Sequence, residues 1–155
     1  MQVKHCKPYL FWVIFCEAIG ALAGILTKEG ISAYESLQKP VLTPPSLVFP
    51  IVWSILFFLM GIGAARIWIV RGGGWKKAFA FFFLQLAMNV SWSLIFFLLG
   101  SFGLALIWLI GLWLAILCMA ILFWRIDRPA AWLQIPYLLW VAFAGYLNYG
   151  IWQLN

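Results

Sequence analysis

Few residues in this chain are equipped for chemistry. Glu17 is the one carboxylate set inside a long apolar run, and His5 is the one histidine. His5 stands in the N-terminal tail, so neither a Ser–His pair nor a His-ligated metal site can be assembled within the chain. Cys6, Cys16 and Cys118 are odd in number and lack CxxC spacing, which argues against a disulfide framework and against a metal site. Glu17 has two readings. A carboxylate in a membrane helix can bind a cation or carry a proton, as in a proton-coupled exporter. The plainer alternative is a protonated or hydrogen-bonded Glu between helices, where Gly20 and Gly24, four apart, allow close approach. Aromatic side chains are the plentiful resource: 11 Trp, 14 Phe and 5 Tyr. Some sit at helical spacing from amides. Asn89 is three residues before Trp92 with Gln85 one turn further, and Ala144 and Asn148 follow Trp140 at steps of four.

The elements that must position these residues follow from composition. Hydrophobic residues make up 66% of the 155 and charged residues 9%, against roughly 45–50% and about 25% in soluble domains. Fourteen charged side chains cannot cover a water-facing surface of this size. A soluble enzyme, a disordered protein and a nucleic-acid binder are thereby excluded, and the lipid bilayer is the first partner. A spanning helix needs about 20 mostly apolar residues. Pro8–Thr27 has one charge, Val41–Ala65 none, and Pro129 to the end none. The 47 uncharged residues between Lys77 and Arg125 are too many for one helix, and Gly100-Ser101-Phe102-Gly103 divides them. The fold class is therefore an all-α integral membrane protein, a five-transmembrane-helix bundle. It forms one membrane domain, 1–155, with spans roughly at 8–27, 46–69, 76–98, 103–124 and 130–152. The period-two alternation of a membrane barrel is absent.

Charge orients the bundle. Lys4, Lys7, Arg66, Arg71, Lys76, Lys77, Arg125 and Arg128 fall on one side, Lys28 and Lys39 on the other. The positive-inside rule puts the N-terminus in the cytoplasm and the C-terminus outside, and helical spans favour a bacterial cytoplasmic (inner) membrane. Lys4, Lys7, the apolar run and Ala21-Leu22-Ala23 imitate a cleavable signal peptide, but Glu17 interrupts that run.

Depth separates the tryptophans. Trp12, Trp68, Trp75, Trp124, Trp132 and Trp152 fall near span ends, where aromatic belts sit. At 1.5 Å per residue, Trp53 lies ~10 Å, Trp92 ~9 Å and Trp140 ~18 Å below the outer ends of their spans. Three deep indoles, each needing a partner for its N–H, indicate either packing or an internal cavity in the outer half. Phe49 and Phe57 flank Trp53 at steps of four. Asn89, Asn148 and Leu147 point inward, and small Ala144 and Gly145 leave room. Such a cavity, aromatic-walled with a few amides, suits a flat and largely apolar ligand better than an ion. The first connection, 28–45, carries Ile31, Tyr34 and Leu37 at a spacing of three. This predicts a short interfacial helix over 31–38 within a lid loop. Pro44-Pro45 start the next helix, while Pro50 and Pro136 are expected to bend spans two and five.

Together these residues carry a resemblance. Lys39-Pro40, Pro44-Pro45 and Val48-Phe49-Pro50-Ile51-Val52-Trp53 resemble the hallmark of the tryptophan-rich sensory protein family, also called the translocator protein (peripheral benzodiazepine receptor) family. So do Gln85, Asn89, Trp92, Phe96 and Phe97, then Pro136-Tyr137-Leu138-Leu139-Trp140, Ala142-Phe143-Ala144 and Leu147-Asn148-Tyr149. The resemblance implies a five-helix bundle, often a homodimer, with a pocket under the first loop. It implies binding of porphyrins such as protoporphyrin IX or haem, and of synthetic isoquinoline and benzodiazepine-type ligands, in tetrapyrrole transport or regulation. No cofactor is required; a porphyrin enters as ligand. Tyr34, Phe49, Trp53, Phe57, Asn89, Trp92, Trp140, Ala144, Leu147 and Asn148 are the expected ligand-binding residues. An enzymatic alternative, light- and oxygen-dependent porphyrin degradation, makes Trp53 and Trp140 candidate catalytic residues. A Glu17-dependent proton-coupled exporter is a third reading.

The sequence also departs from the family pattern. Ala33-Tyr34 stands where Trp-Tyr is usual, Val41-Leu42 where Ser-Trp is usual, and Leu104 where animal members carry a pocket Trp. The C-terminal cholesterol motif is incomplete, because no Lys or Arg follows Tyr149. Span three has no GxxxG for a dimer face, only Ala87 and Ser91 at that spacing.

Overall fold

The computed structural model describes the chain from Val3 to Asn155, with side chains from Cys6 onward. The Lys4 and His5 side chains, one a cytoplasmic charge by the positive-inside rule and the other the lone histidine, lie outside the described residues. Five helices are long and apolar enough to cross a membrane. The first is α1 (Val3–Leu26), followed in the connection by α2 (Lys28–Glu35) and then by α3 (Val48–Val70). The third span is α4 (Trp75–Ser93) continued by a wider π-helical turn, Leu94–Leu98; the fourth is α5 (Phe102–Ile126). The fifth is divided into α6 (Arg128–Trp132) and α7 (Ile135–Leu154). No described residue is in a strand.

Local chemistry explains the breaks. Gly100 takes φ +59° between the third and fourth spans, a left-handed conformation that glycine adopts without steric cost. Asp127 caps α6, accepting from the Ala130 N–H at 3.1 Å, and Pro129 occupies the first turn. Three expectations are corrected. The interfacial helix lies at Lys28–Glu35 and not 31–38, because it starts directly after Thr27 with scarcely a break from α1. Pro136 does not bend a continuous helix: it lies in the first turn of α7, and the interruption falls just before it at Leu133–Gln134. Pro50 is the third residue of α3, where the backbone nitrogen has no intrahelical acceptor to lose.

Packing runs from α3 to α1, from α1 to α4, and on through α5 to α7, while α3 also meets α6. Helices α1 and α3 approach so closely that a Cβ at Gly61 would strike the Val13 backbone, and one at Gly20 the Phe57 ring. By contrast, α3 and α7 face one another through large rings, Phe49 against Trp140 (5.9 Å between centroids) and Trp53 against Tyr137 (6.2 Å). These helices are held apart by aromatic side chains, and the space between them is where a cavity forms.

The half of the bundle nearer the N-terminus is solid. Trp12 packs on Phe79 (4.9 Å), Phe82 (5.7 Å) and Trp68 (5.8 Å). It is buried, so it is a core residue and not part of an interfacial belt as its position in span one suggested. The belt is better represented by Arg71 stacked on Trp68 (4.1 Å) and by Arg128 beside Trp124 (5.2 Å). The outward surface is apolar, with Ile25, Ile107 and Leu139 each about two-thirds exposed or more. That is the surface a bilayer requires.

Candidate functional site

The half of the bundle beneath the first connection holds a cavity of about 650 Å³, within the roughly 300–1,000 Å³ of small-molecule sites. Helices α1, α3, α4 with its π turn, and α7 form its walls, and α2 supplies Ile31 and Tyr34. Nine of the ten residues expected at the site line it: Tyr34, Phe49, Trp53, Phe57, Asn89, Trp92, Ala144, Leu147 and Asn148. Trp140 does not. Its ring packs on Phe49 (5.9 Å) and Phe143 (5.5 Å), so it supports the wall from behind. The Trp140 Nε1 is buried without a hydrogen-bond partner. Gly145 faces Leu109 of α5 and leaves no room in the cavity.

Two polar networks hold the walls. The Tyr137 hydroxyl donates to Gln85 Oε1 and accepts from Asn89 Nδ2, both at 2.7 Å, and Gln85 Nε2 approaches Met60 Sδ at 3.5 Å. Trp92 Nε1 donates to Asn148 Oδ1 at 3.1 Å, and Asn148 Nδ2 donates to the Phe102 carbonyl at 2.8 Å. Each amide in the wall is thus bonded to the protein, as burial in an apolar bundle demands. Trp53 differs. It lines the cavity, yet no described residue accepts its indole N–H, which leaves a donor for a ligand.

The first connection is strapped down. Gln38 N–H donates to Asn155 Oδ1 (3.1 Å), Asn155 Nδ2 donates to Gln38 O (2.9 Å), and the Tyr146 hydroxyl donates to Val41 O (2.6 Å). Beneath this loop Tyr34 is buried against Phe49, Phe96 and Phe97, and burial pushes its phenol pKa up. The Lys39 ammonium caps the end of α2 through the Glu35 and Leu37 carbonyls and lies 4.9 Å from the Tyr34 ring centre.

Sequence reasoning missed two parts of the wall. One is the α1 face, where Gly20, Ala23, Gly24 and Thr27 join Glu17, itself already a functional candidate; the glycine spacing was read only as helix contact. The other is the adjacent pair Phe96 and Phe97, which both reach the cavity from the π turn. No residue pattern announces a π turn, although such turns cluster at functional sites. The departures from the family pattern fall elsewhere: Ala33 and Leu42 are exposed, Leu104 is exposed on α5, and none of the three lines the cavity.

Five spanning helices around an aromatic-walled cavity define a polytopic integral membrane protein with an internal ligand-sized site. The chain belongs to the TspO/MBR family, whose match covers residues 12–153. It is 40% identical over 146 residues to the tryptophan-rich protein TspO of Chlorobaculum tepidum, covering 90% of each chain. It is 37% identical over 153 residues to protein CrtK of Rhodobacter capsulatus, with 94% of this chain and 92% of the other covered. The translocator protein of Bos taurus is 39% identical over 130 residues, with 82% and 77% covered.

Proposed function

We propose that this protein is a membrane receptor or sensor that binds porphyrins, or similar flat apolar molecules such as isoquinoline- and benzodiazepine-type compounds, in tetrapyrrole transport or regulation. One observation carries the reading: a cavity of about 650 Å³ walled by Tyr34, Phe49, Trp53, Phe57, Trp92 and Phe96. Offset stacking of rings on a planar macrocycle, together with apolar burial, would hold such a ligand. Trp53 adds an unpartnered N–H donor. Asn89 and Asn148 are already bonded within the protein and act by fixing the wall. The family names, tryptophan-rich sensory and translocator protein, agree with a sensing or translocating role.

The wall favours binding over degradation. Of the two tryptophans the degradative route would use, only Trp53 is in position to touch the ligand. We further propose the N-terminus-in, C-terminus-out orientation in a cytoplasmic membrane, from the eight-to-two distribution of Lys and Arg. Assembly as a homodimer is part of the same reading.

The test is a dark titration of the purified protein in detergent with protoporphyrin IX, following tryptophan fluorescence with inner-filter correction. Saturable quenching is expected, weakened about tenfold or more in Trp53→Phe through lost stacking and a lost donor. Trp140→Phe, acting only through Phe49, should change affinity less. Non-saturable quenching, identical in the parent and both variants, would reduce the interaction to partitioning into micelles.

A further inference from the structure

Glu17 is the one charged side chain among the described residues that line the cavity. Counting back nine residues from the end of α1 puts it ~14 Å below the outer end of the span, level with Phe57, which lies nine residues into α3. It therefore lies on the deep side of the cavity, one turn below Gly20, whose open surface receives the Phe57 ring. No described residue forms a salt bridge or hydrogen bond with it; the one ion pair among the described residues is Arg66–Asp127. Among the described residues, no Lys, Arg or His lines the cavity with it. The other polar groups of the wall are largely committed: Thr27 to the Ala23 carbonyl, Ser93 to the Asn89 carbonyl, and Trp92 with the two amides as above.

A carboxylate at this depth is costly unless something neutralises it. The described residues supply no partner, whereas the cavity has room for one beside aromatic faces that themselves attract cations. We infer that Glu17 is a recognition group for a protonated amine, and that the cavity accepts flat aromatic molecules carrying one such amine on a short arm. The fused-ring body lies among Trp53, Phe57 and Trp92, and the ammonium meets the Glu17 carboxylate. The same charge disfavours anionic groups at the cavity floor. It turns the carboxylates of a ligand such as a porphyrin outward, toward Lys39 above Tyr34. This inference rests on the reading of the cavity as a site for flat ligands and adds to it a choice of ligand charge.

The experiment uses the full chain in an uncharged detergent with two fluorescent probes that share one ring system, pyrenylmethylamine and pyrenylmethanol. The amine should bind about tenfold more tightly than the alcohol, as a charge-assisted hydrogen bond would give. In Glu17→Gln the ratio should fall to about one as the amine loses its charged partner, and Glu17→Asp should keep a preference for the amine. Since Glu17 bonds to no described residue, Glu17→Gln should unfold at the parent temperature. Equal affinities in the parent overturn the inference without reference to any variant, and so does a preference that persists in Glu17→Gln. If the alcohol still binds saturably and is displaced by protoporphyrin IX, the cavity reading stands while the charge recognition fails. Absence of saturable binding for both probes removes both readings.

Discussion

Tyr137 is completely buried, and its hydroxyl joins Gln85 and Asn89 of α4 to α7. Tyr137→Phe would leave two buried amides short of a partner, a loss of about 1–3 kcal/mol. The expected result is a lower thermal midpoint in detergent, together with weaker porphyrin binding because Asn89 no longer holds its place in the wall. An unchanged midpoint would show that the two amides satisfy each other. Gly24 makes the opposite kind of test. It lines the cavity, and a Cβ there would meet nothing within 4 Å. Gly24→Leu should therefore fill ligand space without a clash, and should favour helix by about 1 kcal/mol at most. Affinity for protoporphyrin IX is expected to fall about tenfold or more, which is about 1.4 kcal/mol, with no loss of stability. Full affinity in this variant would put the ligand elsewhere in the bundle.

At the scale of elements, the loop over the cavity is fastened to α7 by Asn155 and Tyr146, and α2 is pressed on the π turn at Gly30 and Phe97. The cavity's wall at this end is thus built from neighbours far apart in sequence. At the opposite end, Arg66 of α3 grips Asp127, the cap of α6, through Nε–Oδ2 (2.6 Å) and Nη2–Oδ1 (3.1 Å). The Arg66 guanidinium holds the Asp127 carboxyl below the usual carboxylate range, aided by the Ala130 N–H and opposed by burial. A depressed folded pKa means that this stabilisation is fully present above the unfolded value of about 3.9, and is lost as pH falls through the folded value. Acidifying from about pH 5 to about pH 2 should lower the thermal midpoint of the parent more than that of Asp127→Asn. Equal slopes would show that the Arg66–Asp127 pair does not govern the response to acid.

For the whole molecule, the decisive property is which end faces the cytoplasm. Ser36 and Gly73 are exposed and lie beyond opposite ends of the spans. In a background with Cys6, Cys16 and Cys118 replaced by Ser, an impermeant maleimide should label Ser36→Cys on intact cells. It should label Gly73→Cys only after permeabilisation. The reverse pattern would invert the bundle and the proposed access to the cavity. Either way the surface between those ends is apolar, so the fold is a product of its solvent: lipid accepts Ile107 and Leu139, and the amides of Gln85, Asn89 and Asn148 turn inward to find partners.

What the sequence determined by itself was mainly governed by solvent and local conformation. Five apolar spans, all but the first free of charge, a glycine turn dividing the longest uncharged run, and aromatics beside amides at helical spacing were all legible, because spanning lengths and helical periodicity are one-dimensional constraints. They brought Phe49, Trp53, Phe57, Asn89, Trp92, Ala144 and Asn148 to one side of their helices, and the fold brings those sides together. Only the tertiary structure decided which neighbours fill the space between. It set Trp140 behind Phe49, drew Trp12 into the core, made Tyr137 the junction of two amides, and put Phe96 and Phe97 both on the wall. It also brought Glu17 to the cavity without a partner. The physical reason is that helix period fixes a residue's direction relative to its own axis. What that direction meets depends on how closely helices approach and where a turn widens, and these are set by packing across the bundle.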